Sequence, residues 1–202
     1  PAERARALSG VAGDPAVVWV GHLDANKDPL TALDGFARAL EQLPGARLTM
    51  LFGKAELLPA VRERLAGSPA LAERVTLRGP VPHAQIASYL SAADVFLLAS
   101  RRESCGFALI EALLCGAAPA VTDIPAFRAL AACAPHAQLW RAGDPAALAL
   151  ALVASSQGRG EPRRAAIAAY AERAVSWPAV GRRALEIYRA ATARQPALSP
   201  AV

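Results

Sequence analysis

"DVFLLASRRESCGFALIEALLCGAAPAVT", Asp94 to Thr122, decides how the chain must fold. It opens on an unbroken apolar run, Val95 to Ala99, without the polar–apolar alternation of a half-exposed strand. Such a run reads as a strand covered on both faces. A polar bend follows, and then "FALIEALLCG" from Phe107, a helical pattern that stops at Gly116, the residue type that most readily takes the left-handed turn ending a helix. A second apolar run, Ala118 to Thr122, comes next. Two doubly covered strands joined by a helix make a parallel pair with a right-handed crossover.

The same alternation extends outward on both sides. "AVVWV" (Ala16 to Val20, ending at Gly21), "LTMLFG" (Leu48 to Gly53), "RVTLRG" (Arg74 to Gly79) and "AQLW" (Ala137 to Trp140) read as further strands. Asp28 and Pro29 form a cap and first-turn proline for the helix "PLTALDGFARALEQL", in which Leu30, Leu33, Phe36, Ala37 and Leu40 share a face. "AELLPAVRERLAG" reads as a helix interrupted by Pro59. "PHAQIASYLSAA" opens at Pro82, a short helix opens at Pro125, and Asp144 with Pro145 opens another. Past Gly160 the pattern is helical only, Arg163 to Ala174 and Trp177 to about Ala193, before a tail over 194–202 that reads as frayed. The expected fold is α/β: a Rossmann-like three-layer sandwich with a parallel sheet of about six strands, plus C-terminal helices. It forms one domain over 1–202 with its core in about 16–160.

Composition narrows the function. With 54% hydrophobic residues in 202, the chain can bury a full core. The net charge of +5 comes from scattered arginines, and aromatics are only 5%, so no basic stripe with interleaved rings speaks for nucleic acid. Cys105, Cys115 and Cys133 have neither metal-ligand spacing nor an even disulfide framework. That points to a reducing, cytoplasmic setting. No apolar run reaches the roughly 18 residues of a membrane helix.

In an open parallel sheet, ligands bind beyond the carboxyl ends of the strands, so the loops there carry the chemistry. "VGHLDANKDP" (Val20 to Pro29) offers Gly21 for close backbone approach and Lys27, one of two lysines in the chain, as a point charge for a phosphate. "ESCGFALIE" (Glu103 to Glu111) begins a helix whose free N–H groups attract an anion, with Ser104 as the expected cap and Gly106 in the first turn. Glu103 and Glu111 then lie on either side of that anion. A carboxylate suits a pair of hydroxyls, not a phosphate. A ligand with hydroxyls at both ends and a diphosphate between them is a nucleotide sugar. "TDIPAFRAL" (Thr122 to Leu130) is a further loop that could lend backbone to the pocket. The first strand is not followed by G-x-G-x-x-G, which speaks against a dinucleotide oxidoreductase.

These segments in this order, above all "ESCGFALIEALLCGAAPAV", resemble the C-terminal, donor-binding domain of retaining glycosyltransferases with two Rossmann-like domains, the GT-B architecture of family 4 or group 1. The resemblance covers about residues 16 to 193. It implies that Glu103 positions the transferred sugar and that Lys27 binds the diphosphate. Glu111 would hold the ribose. Gly106 and Phe107 would offer backbone N–H groups, with Ser104 and Cys105 on the same loop. Gly21 and His22 would border the diphosphate, and Gly79 to Val81 would line the base pocket. The donor would be a UDP- or GDP-linked sugar, with no metal or other cofactor. The acceptor, a glycan or a lipid-linked molecule, would be held by an N-terminal domain expected to be absent from this chain, because two such domains need about 350 to 400 residues. The resemblance thus implies a hexosyltransferase of which this chain alone is inactive. The full enzyme could meet a membrane peripherally, and the isolated piece could pair with itself through its last helix. A nucleotide-sugar epimerase and a nucleotide-binding module that has lost its chemistry are the alternatives.

Three positions depart from the family pattern. His22 stands where arginine is usual, Cys105 where phenylalanine is usual, and Ala129 where glutamate is common. Histidine carries little charge at pH 7, so diphosphate binding is expected to be weaker, and tighter in acid.

Overall fold

A computed structural model describes residues 2–131 and 133–193. The tail expected to fray, 194–202, lies outside the described residues. Six strands form one sheet: β1 (Ala16–Gly21), β2 (Arg47–Phe52), β3 (Val75–Gly79), β4 (Val95–Leu98), β5 (Ala118–Thr122) and β6 (Gln138–Trp140). Every neighbouring pair is parallel. The order across the sheet is β3-β2-β1-β4-β5-β6. The chain therefore builds outward from β1 to one edge, returns to the middle at β4, and builds outward to the other edge. β4 and β5 are buried at every position, as unbroken apolar runs require.

Helices cover both faces. α2 (Pro29–Ala39) packs on α8 (Pro145–Ser155), with α3 (Leu58–Ala66) and α4 (Pro69–Arg74) beside α2. α1 (Ala2–Ser9) packs on α5 (His83–Ala92), α5 on α6 (Phe107–Leu114), and α6 on α9 (Glu161–Ala174). α7 (Pro125–Ala131) follows β5, and α10 (Trp177–Ala193) extends from α9. The core is one cluster around Trp19, Leu33, Phe36, Phe96, Leu97 and Phe127, each at most 1% exposed.

The start signals work as expected. Asp28 accepts from the Thr31 N–H at 3.3 Å, and Asp144 accepts from the Ala146 and Ala147 N–H groups at 3.0 Å each. Gly116 ends α6 at φ 75°, and a Cβ there would lie 2.7 Å from the Arg164 carbonyl oxygen. Pro59 does not interrupt a helix. α3 begins at Leu58, so the proline occupies the first turn, where no N–H is needed. α1 and the six-residue α4 carry no periodicity long enough to read from sequence.

Two buried arginines on α9 fasten the amino-terminal rim of the sheet. Arg163 donates to the carbonyls of Ser155 at 2.6 Å and Asp94 at 2.8 Å. Arg164 donates to the carbonyls of Ala93, Ser91 (2.5 Å) and Cys115 (2.8 Å). All of these acceptors but Asp94, whose carbonyl also accepts the Ala118 N–H at 3.2 Å, are carbonyls left where α8, α5 and α6 end. Burial pulls both guanidinium groups below the ordinary arginine range, and the Asp94 carboxylate pushes them back up. Arg6 pairs with that carboxylate at 2.8 Å.

The three cysteines are all free. Cys105 and Cys133 are exposed, whereas burial pushes the Cys115 thiol above its ordinary range. Alkylation at neutral pH followed by peptide mass spectrometry should label Cys105 and Cys133 at least about tenfold faster than Cys115, because the thiolate is the nucleophile. Equal rates would contradict the packing of α6 against α5.

Candidate functional site

β1 and β4 lie side by side, yet their crossovers leave in opposite directions, β1 toward β2 and β4 toward β5. This is the switch point at which an open α/β sheet leaves a crevice at its carboxyl edge. The loops entering that crevice are residues 22–28, after β1, and 99–106, after β4. They carry Lys27 and Glu103, which form an ion pair between Nζ and Oε1 with side chains only 19% and 13% exposed. A tight turn sets the lysine, since its backbone N–H donates to Asp24 Oδ1 at 2.8 Å. Gly21 lies under the Trp19 ring, where a Cβ would come within 3.0 Å of the indole and within an ordinary 3.4 Å contact of Lys27 Cγ. Beside this pair, Arg101 reaches Asp28 Oδ2 at 2.7 Å, tying the second loop to the start of α2.

The N-terminus of α6 differs from the expectation. Ser104 does not cap it. Gly106 is the capping residue, at φ 73° and ψ 41°, and no side chain accepts a hydrogen bond from the first turn. The reason is steric. Phe127 and Leu130 fill the space over Gly106, to within 3.0 and 3.2 Å of a hypothetical Cβ, so the chain turns through a residue without a side chain. Ser104 is left exposed two positions earlier, as is Cys105. The Gly106 carbonyl takes the Leu109 and Ile110 N–H groups at 2.9 and 3.2 Å. The Phe107 and Ala108 N–H groups therefore point out of the helix without a capping acceptor among the described residues. Phe107 itself is exposed.

On the other side of the site, the ends of β1, β2 and β3 enclose a mainly apolar hollow lined by Val20, Gly21, Leu51, Gly79, Val81 and Ile86. Ile86 also walls the neighbouring hollow between α5 and α6, where Glu111 and His83 stand. Glu111 Oε1 lies 3.5 Å from His83 Nε2. Glu103 thus stands by the lysine at the switch point, while Glu111 lines the hollow between α5 and α6, which shares Ile86 with the apolar hollow at the ends of β1, β2 and β3.

His22 is exposed, with Gly53 alongside its ring and its Nδ1 accepting the Lys54 N–H at 3.2 Å. That contact leaves Nε2 as its N–H donor. Sequence reasoning missed Lys54, Asn26, Arg101 and Ile86. One signal was present for Lys54, because both lysines of the chain lie on the loops that follow the first two strands. Ala129 is exposed on α7. Among the described residues, no group of three or more His, Cys, Asp and Glu side chains is placed to hold a metal ion.

The family model for glycosyl transferases group 1 matches residues 14–157. The D-inositol 3-phosphate glycosyltransferase of Xylanimonas cellulosilytica is 32% identical over 188 residues, which cover 91% of this chain and 44% of that protein. That of Nocardia farcinica is 31% identical over 200 residues, covering 95% and 44%. The chain therefore spans less than half the length of these relatives. Among solved structures, Anabaena HepE in complex with UDP superposes with a TM-score of 0.75 at 18% identity, over 94% of this chain and 52% of that one. Sucrose-phosphate synthase from Thermosynechococcus elongatus superposes at 0.69 and 25% identity, over 96% and 50%. With its six-stranded sheet, its switch-point loops and these matches taken together, the chain belongs to the group 1 glycosyl transferases.

Proposed function

We propose that this chain is the donor-binding half of a retaining glycosyltransferase that takes a hexose from a nucleoside diphosphate sugar. One observation carries the reading: Lys27 and Glu103 meet at the β1–β4 switch point, on the loops that lead into α2 and into the uncapped start of α6. The base lies in the hollow under Gly79 and Val81, and Glu111 takes the ribose hydroxyls. The diphosphate faces Lys27 and the Phe107 and Ala108 N–H groups. Donor arrival draws Lys27 off Glu103 toward the phosphates, which frees the carboxylate to accept from hydroxyls of the transferred sugar. As the glycosidic bond breaks, negative charge grows on the leaving diphosphate. A fixed ammonium and aligned amides stabilise that charge more than they stabilise the bound donor, which is how they accelerate the step. No metal is needed for this role. His22 offers Nε2–H where a guanidinium would supply a full charge.

The acceptor, a glycan or lipid-linked molecule, is held in this reading by further polypeptide. α10 supports it. Trp177, Val180, Ile187 and Tyr188 recur at helical spacing on one side of α10, and all are exposed. An apolar stripe of that kind marks a contact surface. In the full enzyme it faces the acceptor-binding domain, and in the isolated chain a second copy could cover it. No described helix is long and apolar enough to cross a membrane.

Isothermal titration in EDTA with UDP-glucose, GDP-mannose, UDP, GDP and UMP tests the reading. A nucleoside diphosphate should bind at least about tenfold tighter than its monophosphate, since a charge-assisted contact to the second phosphate is worth more than about 1.4 kcal/mol. Absence of binding at millimolar ligand would overturn it and favour a module that has lost its ligand.

A further inference from the structure

We propose that Asn26 is a positioning residue: its carboxamide staples the lysine loop to the glutamate loop and so sets Lys27 against Glu103. The inference rests on the donor-site reading above. The β1–β4 ladder runs only from Val17 opposite Val95 to Trp19 opposite Leu97. Beyond it the two chains diverge into their crossovers, and the sheet no longer holds them together.

Asn26 restores the connection. Its Nδ2 donates to the Arg102 carbonyl at 3.0 Å, and its Oδ1 accepts the Arg102 N–H at 3.1 Å. Its own carbonyl accepts the Arg101 N–H at 2.8 Å. The side chain thus behaves as one more peptide group, satisfying both backbone groups of a single residue across the crevice. Asparagine suits this because it presents a donor and an acceptor on one short planar group. Aspartate would set a carboxylate oxygen against the Arg102 carbonyl. Alanine would remove both side-chain bonds and leave only the one from the backbone.

The consequence lies one residue along on each side. Lys27 follows Asn26, and Glu103 follows Arg102. Stapling 26 to 102 fixes the separation of the two backbones from which these long side chains start. A flexible lysine and glutamate lose much rotamer freedom when ordered. A brace supporting the residues that touch ligand provides that order before the donor arrives.

The test compares the wild-type chain with Asn26→Ala and Asn26→Asp, and with Lys27→Ala and Glu103→Ala, by titrating UDP-glucose and UMP and recording Tm. UMP has neither a second phosphate nor a sugar, so it samples the base and ribose side of the site. Both Asn26 variants should bind UDP-glucose about tenfold more weakly, with UMP affinity within about twofold and Tm within about 2 °C of wild type. A parallel loss of UMP and UDP-glucose with a fall in Tm would mean a merely structural role and overturn the proposal. So would Asn26→Ala binding UDP-glucose as wild type does while Lys27→Ala and Glu103→Ala bind it weakly. If Lys27→Ala and Glu103→Ala also bind as wild type, the donor-site reading itself fails and the inference falls with it.

Discussion

Lys27→Ala should weaken UDP binding by about 100-fold, and adding Glu103→Gln should recover a large part of that loss. The single variant removes the cation that faces the diphosphate, but this is only half of its effect. Glu103 is 13% exposed and has lost its partner, so an uncompensated carboxylate is left where the anion must land. Removing one member of a close charge contact across a binding interface costs about 2–5 kcal/mol of affinity. A loss of roughly 3 kcal/mol corresponds to about a hundredfold in affinity. Glu103→Gln alone keeps the lysine and removes the competing charge. UDP should then bind as tightly as to wild type or more tightly, while UDP-glucose loses whatever the sugar contributed. Residues in direct contact do not act additively, and titration of the four proteins measures the coupling. If the two changes simply add, Lys27 and Glu103 do not share the site.

Arg164→Ala should lower Tm by about 10 °C without moving UDP affinity by more than about twofold. The guanidinium donates to three carbonyls at the ends of α5 and α6, and Arg164 is 8% exposed. Removing it leaves buried acceptors without partners, each costing about 1–3 kcal/mol. A total of roughly 3–4 kcal/mol, at about 2–4 °C per kcal/mol for a domain of this size, gives that shift. Arg164→Lys should fall between, because a single ammonium cannot span three acceptors as a planar fork does. The arginine fastens the amino-terminal rim and the donor site occupies the carboxyl rim, so the protein that remains folded should bind normally. Differential scanning calorimetry with UDP titration at 20 °C separates the two quantities. A shift below about 3 °C would mean that water satisfies those carbonyls.

The strands were legible because each one is an apolar run with punctuation at both ends. Val95 to Leu98, Ala118 to Thr122 and Ala16 to Gly21 lie where burial on both faces requires them. Asp28–Pro29 and Asp144–Pro145 were legible as starts because cap and first-turn chemistry is local. The Ser104 cap failed for the converse reason. Phe127 and Leu130, from α7, decide what can sit at the turn before α6, and no pattern within 103–111 reports on them. Pro59 was misjudged by a smaller margin, since a proline in the first turn of a helix and one inside a helix look alike when the start has no capping side chain.

Sequence by itself determined the parallel α/β architecture, the loops that reach the carboxyl edge and the residue types available there, because periodicity, caps and turns act over a few neighbouring residues. Only the tertiary structure decided which of those residues touch. Strand order placed residues 22–28 against 99–106, so that Lys27 meets Glu103, Asn26 grips Arg102 and Arg101 reaches Asp28, each across more than 70 positions of chain. The same holds at the opposite rim, where Arg163 and Arg164 look like ordinary surface arginines until three other helices end beside them. Contacts between distant segments arise from how the sheet is wound and packed, and local spacing carries no record of that.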